Sequence, residues 1–588
     1  LLATGSPNAE STFDKVLPYI DEHASQWQAV RTEICINNKV EKTWDTDTTA
    51  KATWCLVQRQ IALEELINLV LASDPDSINR TIDAASRLSK PLPCADPFYL
   101  HTTPPPPENP DAIRPVMQQV MRANAVRSSG NYPEAKRLAT AAKASADSLD
   151  WAPLVAQASW TLGMSLMELG KHAQAEEAFE AAYFQAAPIG AHELATAAAI
   201  SLIEVVGLRL ARHDDGMRWW KLTEVSMVHL DPNSKRIRRG YALDVVAGIY
   251  YQKGLYEQSK ASLVESLALR REAVGEEHPS YSNGLNNLAL VHLALANHKK
   301  AVELAQQTLD LKQKIHGKNH PSVANALATV GSFFVFEGEF TQAKEHLQQA
   351  LKMQQDSIGT DSPRLIAPLK HLALVLHALG EEEQALAHLQ QALAISREAF
   401  GPNHIRETEI QESLALIAVD LKDYTQAQTR LEQILALRTK ALEPEDPSIA
   451  ETRNSLGSLL LQTGFPEQAH EHFSAALAIW KDVLGPEHPR LAQAWIGLAN
   501  VALAQGQPAR AVKLARQAME RRESSHARPI ELAAAKWQLA QALWAQQPNE
   551  GRDEVLALLG EAKHLYRRVG GKHTPLIEIN NLIKQVSR

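Results

Sequence analysis

The sequence predicts an all-α fold: a right-handed superhelical solenoid of about nine to ten helical hairpins, preceded by a small helical module. Three observations predict it. A period of 42 residues places small side chains in two columns, Ala, Leu, Glu and Gln dominate long stretches, and one loop motif recurs in phase with the columns. At 588 residues the chain is too long for one compact core, so it divides into domains or runs as an array.

Gly254 is the phase marker. Steps of 42 reach Ala296, Gly338, Gly380, Lys422, Gly464 and Gly506; backward steps reach Arg212 and Gly170, and Gly130 lies 40 earlier. Five residues after each marker stands a small side chain: Ala175, Ser259, Ala301, Ala343, Ala385, Ala427, Ala469 and Ala511, broken only by Met217. Seven residues before it stand Gly163, Ala247, Ala289, Gly331, Ala373, Ala415, Gly457 and Ala499, broken by Val205. The preceding position is aliphatic from Leu162 to Leu498 except at Glu204. Small residues at matching places on two helices let their axes approach, and the aliphatics fill the seam. The marker is the turn between them, where Gly tolerates positive φ. One hairpin cannot bury its own apolar stripe, so the hairpins stack.

Between hairpins run "GEEHPS", "GKNHPS", "GTDSPR", "GPNHIR", "EPEDPS" and "GPEHPR". His278, His320, His404 and His488 share one position there, and Ser362 and Asp446 replace them in the same column. Successive histidines are a hairpin or more apart, too far to share a metal ion. A column that accepts His, Ser and Asp before a proline is a column of helix caps. "HEH" at His470–His472 lacks the spacing of a zinc helix.

Ahead of the array, "HTTPPPPENPD" (101–111) forces an extended linker, and "KATWCLVQRQIALEELINLVLAS" (51–73) is the best amphipathic helix of the module before it. The expected organisation is an N-terminal module over 1–100, the linker over 101–111, the array over 112–548 and capping helices over 549–588. No run of 18 apolar residues spans a membrane, and a net charge of −8 exerts no general pull on nucleic acid. The dense basic cluster "SKRIRRG" (234–240) reads as a solvated helix start, and Trp219–Trp220 as hairpin core or a kink in the stack. No Gly-rich phosphate loop, catalytic base or metal-binding motif occurs, so the chain is expected to be non-catalytic, with no cofactor and no metal.

The Leu-Gly/Ala, Gly-x-Tyr and Ala positions resemble the tetratricopeptide repeat, over roughly 112–545 and most strongly over 241–521. The extra length of the unit is similar to that of kinesin light chains. The order "SQWQAVRTEIC", "TWCLVQRQIALEEL", "LPCADPFYL", a Pro-rich stretch and then repeats, carried by Trp27, Cys35, Trp54, Cys55, Arg59 and Cys94, resembles the non-kinase C-terminal region of large myxobacterial-type Ser/Thr protein kinases. That resemblance implies a sensory module outside the cytoplasm, behind a kinase domain and a membrane helix that would precede Leu1. Without those, the alternative is a free-standing cytoplasmic adaptor resembling kinesin light chain.

The plain reading of the cysteines is buried, reduced thiols. The kinase resemblance, which implies an oxidising compartment, raises the case for a bridge. The expected pair is Cys35–Cys55, since Cys35 would end one helix and Cys55 lie two turns into the next, antiparallel one, leaving Cys94 free.

The resemblance also implies a peptide- or protein-binding groove on the first helices. Counted back 13, 10, 6 and 3 from the markers, the expected groove residues are Asn283, Asn286, Asn325, Lys370, His377, Glu409, Glu412, Asn454, Gln493 and Asn500, interleaved with Leu290, Leu374 and Leu416. The expected partner is a protein or peptide segment, whose backbone amide side chains suit.

Overall fold

The computed structural model describes residues 9–72, 80–128, 130–295, 297–524, 527, 529–548, 551–569 and 575–587. Among them are 27 α-helices, short 3₁₀ and π segments, and no strand. They form two compact units: residues 1–288 with 307–323, and residues 289–306 with 324–588.

The first unit holds the N-terminal module and four hairpins. Each hairpin pairs two helices: Pro110–Ser128 with Tyr132–Leu149, Ala152–Glu168 with His172–Ala186, His192–Leu202 with His213–Ser226, and Pro232–Gln252 with Tyr256–Val274. The second unit repeats the pattern: Ile366–Leu379 with Glu382–Phe400, Thr408–Asp420 with Tyr424–Ala441, Pro447–Gln462 with Pro466–Leu484, Leu491–Ala504 with Pro508–Ser524, and Pro529–Gln546 with Arg552–Val569. Its last helix, Leu576–Val586, buries Ile579, Leu582 and Val586 in the terminal core. Helices Pro279–Ala294, His298–His316 and Pro321–Glu337 contribute residues to both units.

The turns fall where the markers place them. Gly254, Gly338, Gly380, Gly464 and Gly506 all have positive φ between helices, and Lys422 adopts φ 62° in the same column. The marker Ala296 lies outside the described residues. A second glycine column joins hairpin to hairpin. Gly275 ends its helix at φ 82°, ψ 167°, a region that essentially only glycine visits. All eight small residues of the post-marker column, from Ala175 to Ala511, are fully buried. Glycines on the first helices leave space that aromatic rings fill: a Cβ on Gly163 would meet the Phe179 ring at 2.7 Å, and one on Gly497 the Phe473 ring at 2.3 Å.

The exceptions of the weak repeat share one cause. The first helix runs into a π-helical segment, Ile203–Arg209, and the positive φ falls on Ala211, one residue before Arg212. The small residue is then Gly216, not Met217, and a Cβ there would stand 2.5 Å from the Gly207 Cα. Trp219 packs edge-on against Tyr183 at 5.2 Å, as part of the hairpin core.

The N-terminal module comprises Ala9–Cys35, Thr46–Leu71 and four short helical segments, Ile36–Val40, Thr81–Ser86, Leu92–Ala95 and Pro97–His101. Its disulfide corrects the expected pairing: Cys55 bonds Cys94, with Cα atoms 5.6 Å apart, and Cys35 is free and exposed. On helix Ala9–Cys35, Val30 and Ile34 form the buried face, so Cys35 points away from the cluster that holds both Cys55 and Cys94. Nor does the module stand apart behind its linker. Trp54 and Ile61 pack with Ile113, Met117 and Val120 of the first hairpin, and Trp54 meets Trp151 edge-on at 5.8 Å.

Two outcomes are expected. Peptide mapping without reduction yields a Cys55–Cys94 peptide and an alkylatable Cys35, and reduction lowers stability by about 3–4 kcal/mol for a bridge closing 39 residues. Gly497→Ala, which in an open helix would gain up to ~1 kcal/mol, instead costs ~1–3 kcal/mol in chemical denaturation because of Phe473, and Phe473→Leu relieves part of that cost. A more stable Gly497→Ala protein would contradict the packing described.

Candidate peptide-binding surface

Within the second unit two ion pairs link successive first helices, and one of them joins two of the expected groove residues. Lys370 on helix Ile366–Leu379 pairs with Glu409 on Thr408–Asp420, and Glu451 on Pro447–Gln462 pairs with Arg490 at the start of the next first helix. Ion pairs between successive first helices can form only if those offsets point the same way.

Not all of these residues are open to a partner. Asn325 is exposed but accepts a bond from Gln354 Nε2 at 2.9 Å. Lys370 and Glu409 hold each other, and the hydrogen bond from Lys370 lowers the Glu409 pKa. His377 is only 5% exposed. Its Nδ1 meets Glu382 and its Nε2 meets Asp420 at 2.7 Å, so it ties its own hairpin to the next rather than lining a groove. Burial opposes its charge, but the two carboxylates outweigh burial and raise its pKa above the usual histidine value. Glu412 binds the buried Arg438; burial pushes its carboxyl up while the guanidinium pulls against that shift. Asn454, Gln493 and Asn500 are half-buried, and the Asn454 Oδ1 is buried with no hydrogen-bond partner among the described residues. Leu374 is half-buried, and Leu416 is 51% exposed. In the first unit Asn283 is exposed and Asn286 half-buried.

The loop histidines are caps. His278, His320, His404 and His488 each accept at Nδ1 the backbone N–H two residues on, at 3.1–3.2 Å, as do Ser362 at 3.4 Å and Asp446 at 2.8 Å. A bare Nδ1 requires neutral rings. Burial, with Arg490 and Arg522 nearby, lowers His488 to about 4. The basic cluster 234–240 is likewise structural: Arg236 pairs with Glu272, Arg238 with Glu193, and Arg239 with Glu224 and Glu265.

The sequence reading missed a second set of buried cations. Arg270 binds Asp244 and the Ser280 carbonyl, and Arg438 repeats this with Glu412 and the Ser448 carbonyl. Arg270 and Arg438 stand 168 residues apart, four periods, and Arg522, buried and paired with Glu531, lies two periods further on, so the same phase count finds them. Arg270 and Arg438 each tie a second helix to its own first helix and to the start of the next. On the other helix set, an open cleft of about 480 Å³ lies between Tyr424–Ala441 and Pro466–Leu484, with Leu456 and Leu460 in its lining. Among the described residues no group of three or more His, Cys, Asp or Glu could hold a metal ion, and no helix is long and apolar enough to cross a membrane.

The two classes of ion pair separate in a stability measurement. Arg438→Ala strands Glu412 and is expected to cost ~3–5 kcal/mol. Lys370→Ala removes a pair whose acid is mostly exposed and is expected to cost under ~1 kcal/mol. Equal losses in urea unfolding would refute the distinction.

A tetratricopeptide-repeat model matches in six overlapping windows, residues 241–314, 283–356, 322–398, 364–440, 406–478 and 448–524, and a second such model matches 120–190. No curated protein matches the sequence. Among solved structures, a Podosopora anserina kinesin light chain of nearly identical TPR-like repeats is 25% identical; the alignment covers 35% of this chain and 98% of that one, with TM-score 0.30. BtubC (BKLC) from P. vanneervenii is 20% identical, over 39% and 92% of the two chains, with TM-score 0.33. Yeast Tom70 is 13% identical, over 81% and 96%, with TM-score 0.37. Stacked repeats of this kind build protein-interaction scaffolds. The repeat models together span more than half of the 588 residues, in the phase of the buried small columns, and the chain belongs to the tetratricopeptide-repeat proteins.

Proposed function

We propose that the first helices of the second unit hold a peptide segment of a partner protein, and that the chain acts as the sensory region of a receptor-like Ser/Thr protein kinase outside the cytoplasm. One observation carries the first part. Asn454 Oδ1 is buried without a donor, on the helix set that also carries the half-exposed Leu416. The half-buried Asn454 side chain turns outward to accept a bound backbone N–H, and an apolar side chain of the peptide covers Leu416. The ion pairs Lys370–Glu409 and Glu451–Arg490 neutralise the charges on that face, so the favoured segment is one of low net charge. The second part is supported by the Cys55–Cys94 bridge, since structural disulfides persist in oxidising compartments. It favours the receptor reading over a cytoplasmic adaptor.

Peptides selected for binding to the purified chain test the first part. Asn454→Ala is expected to weaken such a peptide about fivefold or more, ~1 kcal/mol, in calorimetry, while Gln468→Ala on the opposite cleft leaves it unchanged. Loss at Gln468 with none at Asn454 would move the site to the second helices. The second part fails if the reading frame upstream of Leu1 encodes neither a kinase domain nor an apolar helix.

A further inference from the structure

Within the first unit the N-terminal module touches the array well beyond its own core. Helix Ala9–Cys35 reaches the end of His298–His316, where Lys15 Nζ donates to the Lys314 carbonyl at 3.1 Å. The segment around Thr81–Ser86 meets the turn of the first hairpin, and three arginines gather there. Arg80 lies across the turn: its guanidinium fills the space that a Cβ on Gly130 would take, and its Nη1 donates to the Tyr132 hydroxyl at 3.2 Å. The Arg127 carbonyl accepts the Gly130 N–H at 3.0 Å and closes the same turn. The Arg127 side chain is 8% exposed, and its Nε and Nη2 both donate to Asn124 Oδ1, at 3.2 and 2.8 Å. Arg87, just past the short helix, is exposed and acts on Arg127 from the module side.

The acids here do not match the cations. Among the described residues the carboxylate beside Arg127 is Glu168, at 3.9 Å, beyond hydrogen-bond reach. Burial opposes the Arg127 charge most and Arg87 next, and Glu168 offsets less than Arg87 adds. Arg80 and Arg87 form no ion pair among the described residues. Asp83, on the helix between them, acts on Tyr19 and Lys312, and Glu134, just past the turn, holds Arg137. The contrast with the array is plain, since Arg270, Arg438 and Arg522 each hold a carboxylate directly. Arg80 Nε and Nη2, Arg127 Nη1 and the whole Arg87 guanidinium are donors that no described acceptor fills. Three guanidiniums against one carboxylate leave two positive charges unmatched, and exposed Arg87 opens them to solvent.

We propose that this turn binds a phosphate dianion, free or as a small phosphomonoester, between Arg80 and Arg87 of the module and Arg127 of the first hairpin. A carboxylate presents its two oxygens in one plane and suits one guanidinium. A tetrahedral phosphate offers oxygens in several directions and can accept from all three. Its two charges match the excess left after Glu168. Gly130, at φ 87°, serves the site as well as the turn, because a side chain there would push Arg80 off it. A bound dianion bridges the module to the array, since it takes donors from both. The site lies in the first unit and does not depend on the groove proposed for the second.

Titration calorimetry of inorganic phosphate into the full-length, disulfide-intact chain, at pH 7.5 and low salt, tests the site. One phosphate is expected to bind saturably, with sulfate competing and acetate not. Arg87→Ala, at an exposed side chain with no bond of its own to lose, is expected to weaken phosphate about tenfold or more. Arg137→Ala, which breaks only the nearby exposed pair with Glu134, is expected to leave it unchanged. Hydrogen exchange over residues 81–86 is expected to slow when phosphate binds the native chain, and not in Arg87→Ala. Glycerol phosphate binding more tightly than the inorganic ion assigns the site to a phosphomonoester and the reverse to free phosphate; either order supports it. No saturable phosphate binding, equal losses in the two variants, or acetate competing as well as sulfate would each overturn the proposal.

Discussion

A Cβ placed on Gly497 would stand 2.3 Å from the Phe473 ring, and one on Gly457 3.0 Å from the same ring. One aromatic side chain thus rests on two glycines, from its own hairpin and from the next. The whole array depends on this constraint, since helix axes must come closer than ordinary side chains permit. Phe179 over Gly163 and Leu347 against Gly331 repeat it with other partners. Because the interior is close-packed, each small residue sets the size of the knob opposite it. In the weak repeat, where the first helix ends in the π-helical segment Ile203–Arg209, Gly216 stands one residue before Met217 and Gly207 two after Val205, and the two glycines still meet.

The second requirement is that each hairpin be handed to the next at a fixed angle, and three devices in one short loop meet it. A glycine at φ near 80° and ψ near 165° reverses the chain, and a side-chain acceptor caps the next helix two residues into it. In two repeats a buried arginine then binds the carbonyl just past the cap. In the loop before Asp446, Glu443 stands in the glycine column, and the helix ends instead at Leu442 with its backbone extended, at φ −119°. That same loop has Asp446, the strongest acceptor of the cap column, and Arg438 with its four oxygen partners. Where the backbone is less specific, the side chains make more bonds.

How much of this was legible in the sequence follows from which interactions repeat. Gly254, Gly380 and Gly464, the Ala column and the capping position recur every 42 residues, so coincidence of type at a fixed spacing revealed them. The buried arginines were legible by the same count but lie in a column that also holds Lys312, Gln354, Ser396 and Trp480, which hides the pattern. The cysteine pairing does not repeat. It depends on Ile34 rather than Cys35 facing the module core, a rotation of about 100° on one helix. The seating of Lys15 against Lys314 joins residues 299 apart, and no local signal carries such a contact. Of the expected groove residues, the offsets could be counted but the competition could not. His377, Lys370 and Glu412 sit at the expected offsets, yet each is held by a neighbour two to four dozen positions on, or by its own turn.

That competition bears on how a scaffold of this kind chooses its partner. A cation or carboxylate held in an inter-repeat pair must lose that pair before it binds anything, and the loss is costly when the pair is buried. Lys370 with Glu409 and Arg438 with Glu412 are therefore poor reporters of a ligand's charge. The amides have no such commitment at Asn454, whose acceptor is buried and unpaired, and an apolar contact at Leu416 needs no partner broken. Selectivity then rests on shape and on backbone hydrogen bonding. A face that has consumed its own charges discriminates against charged segments by leaving them unpaired rather than by attracting their opposites.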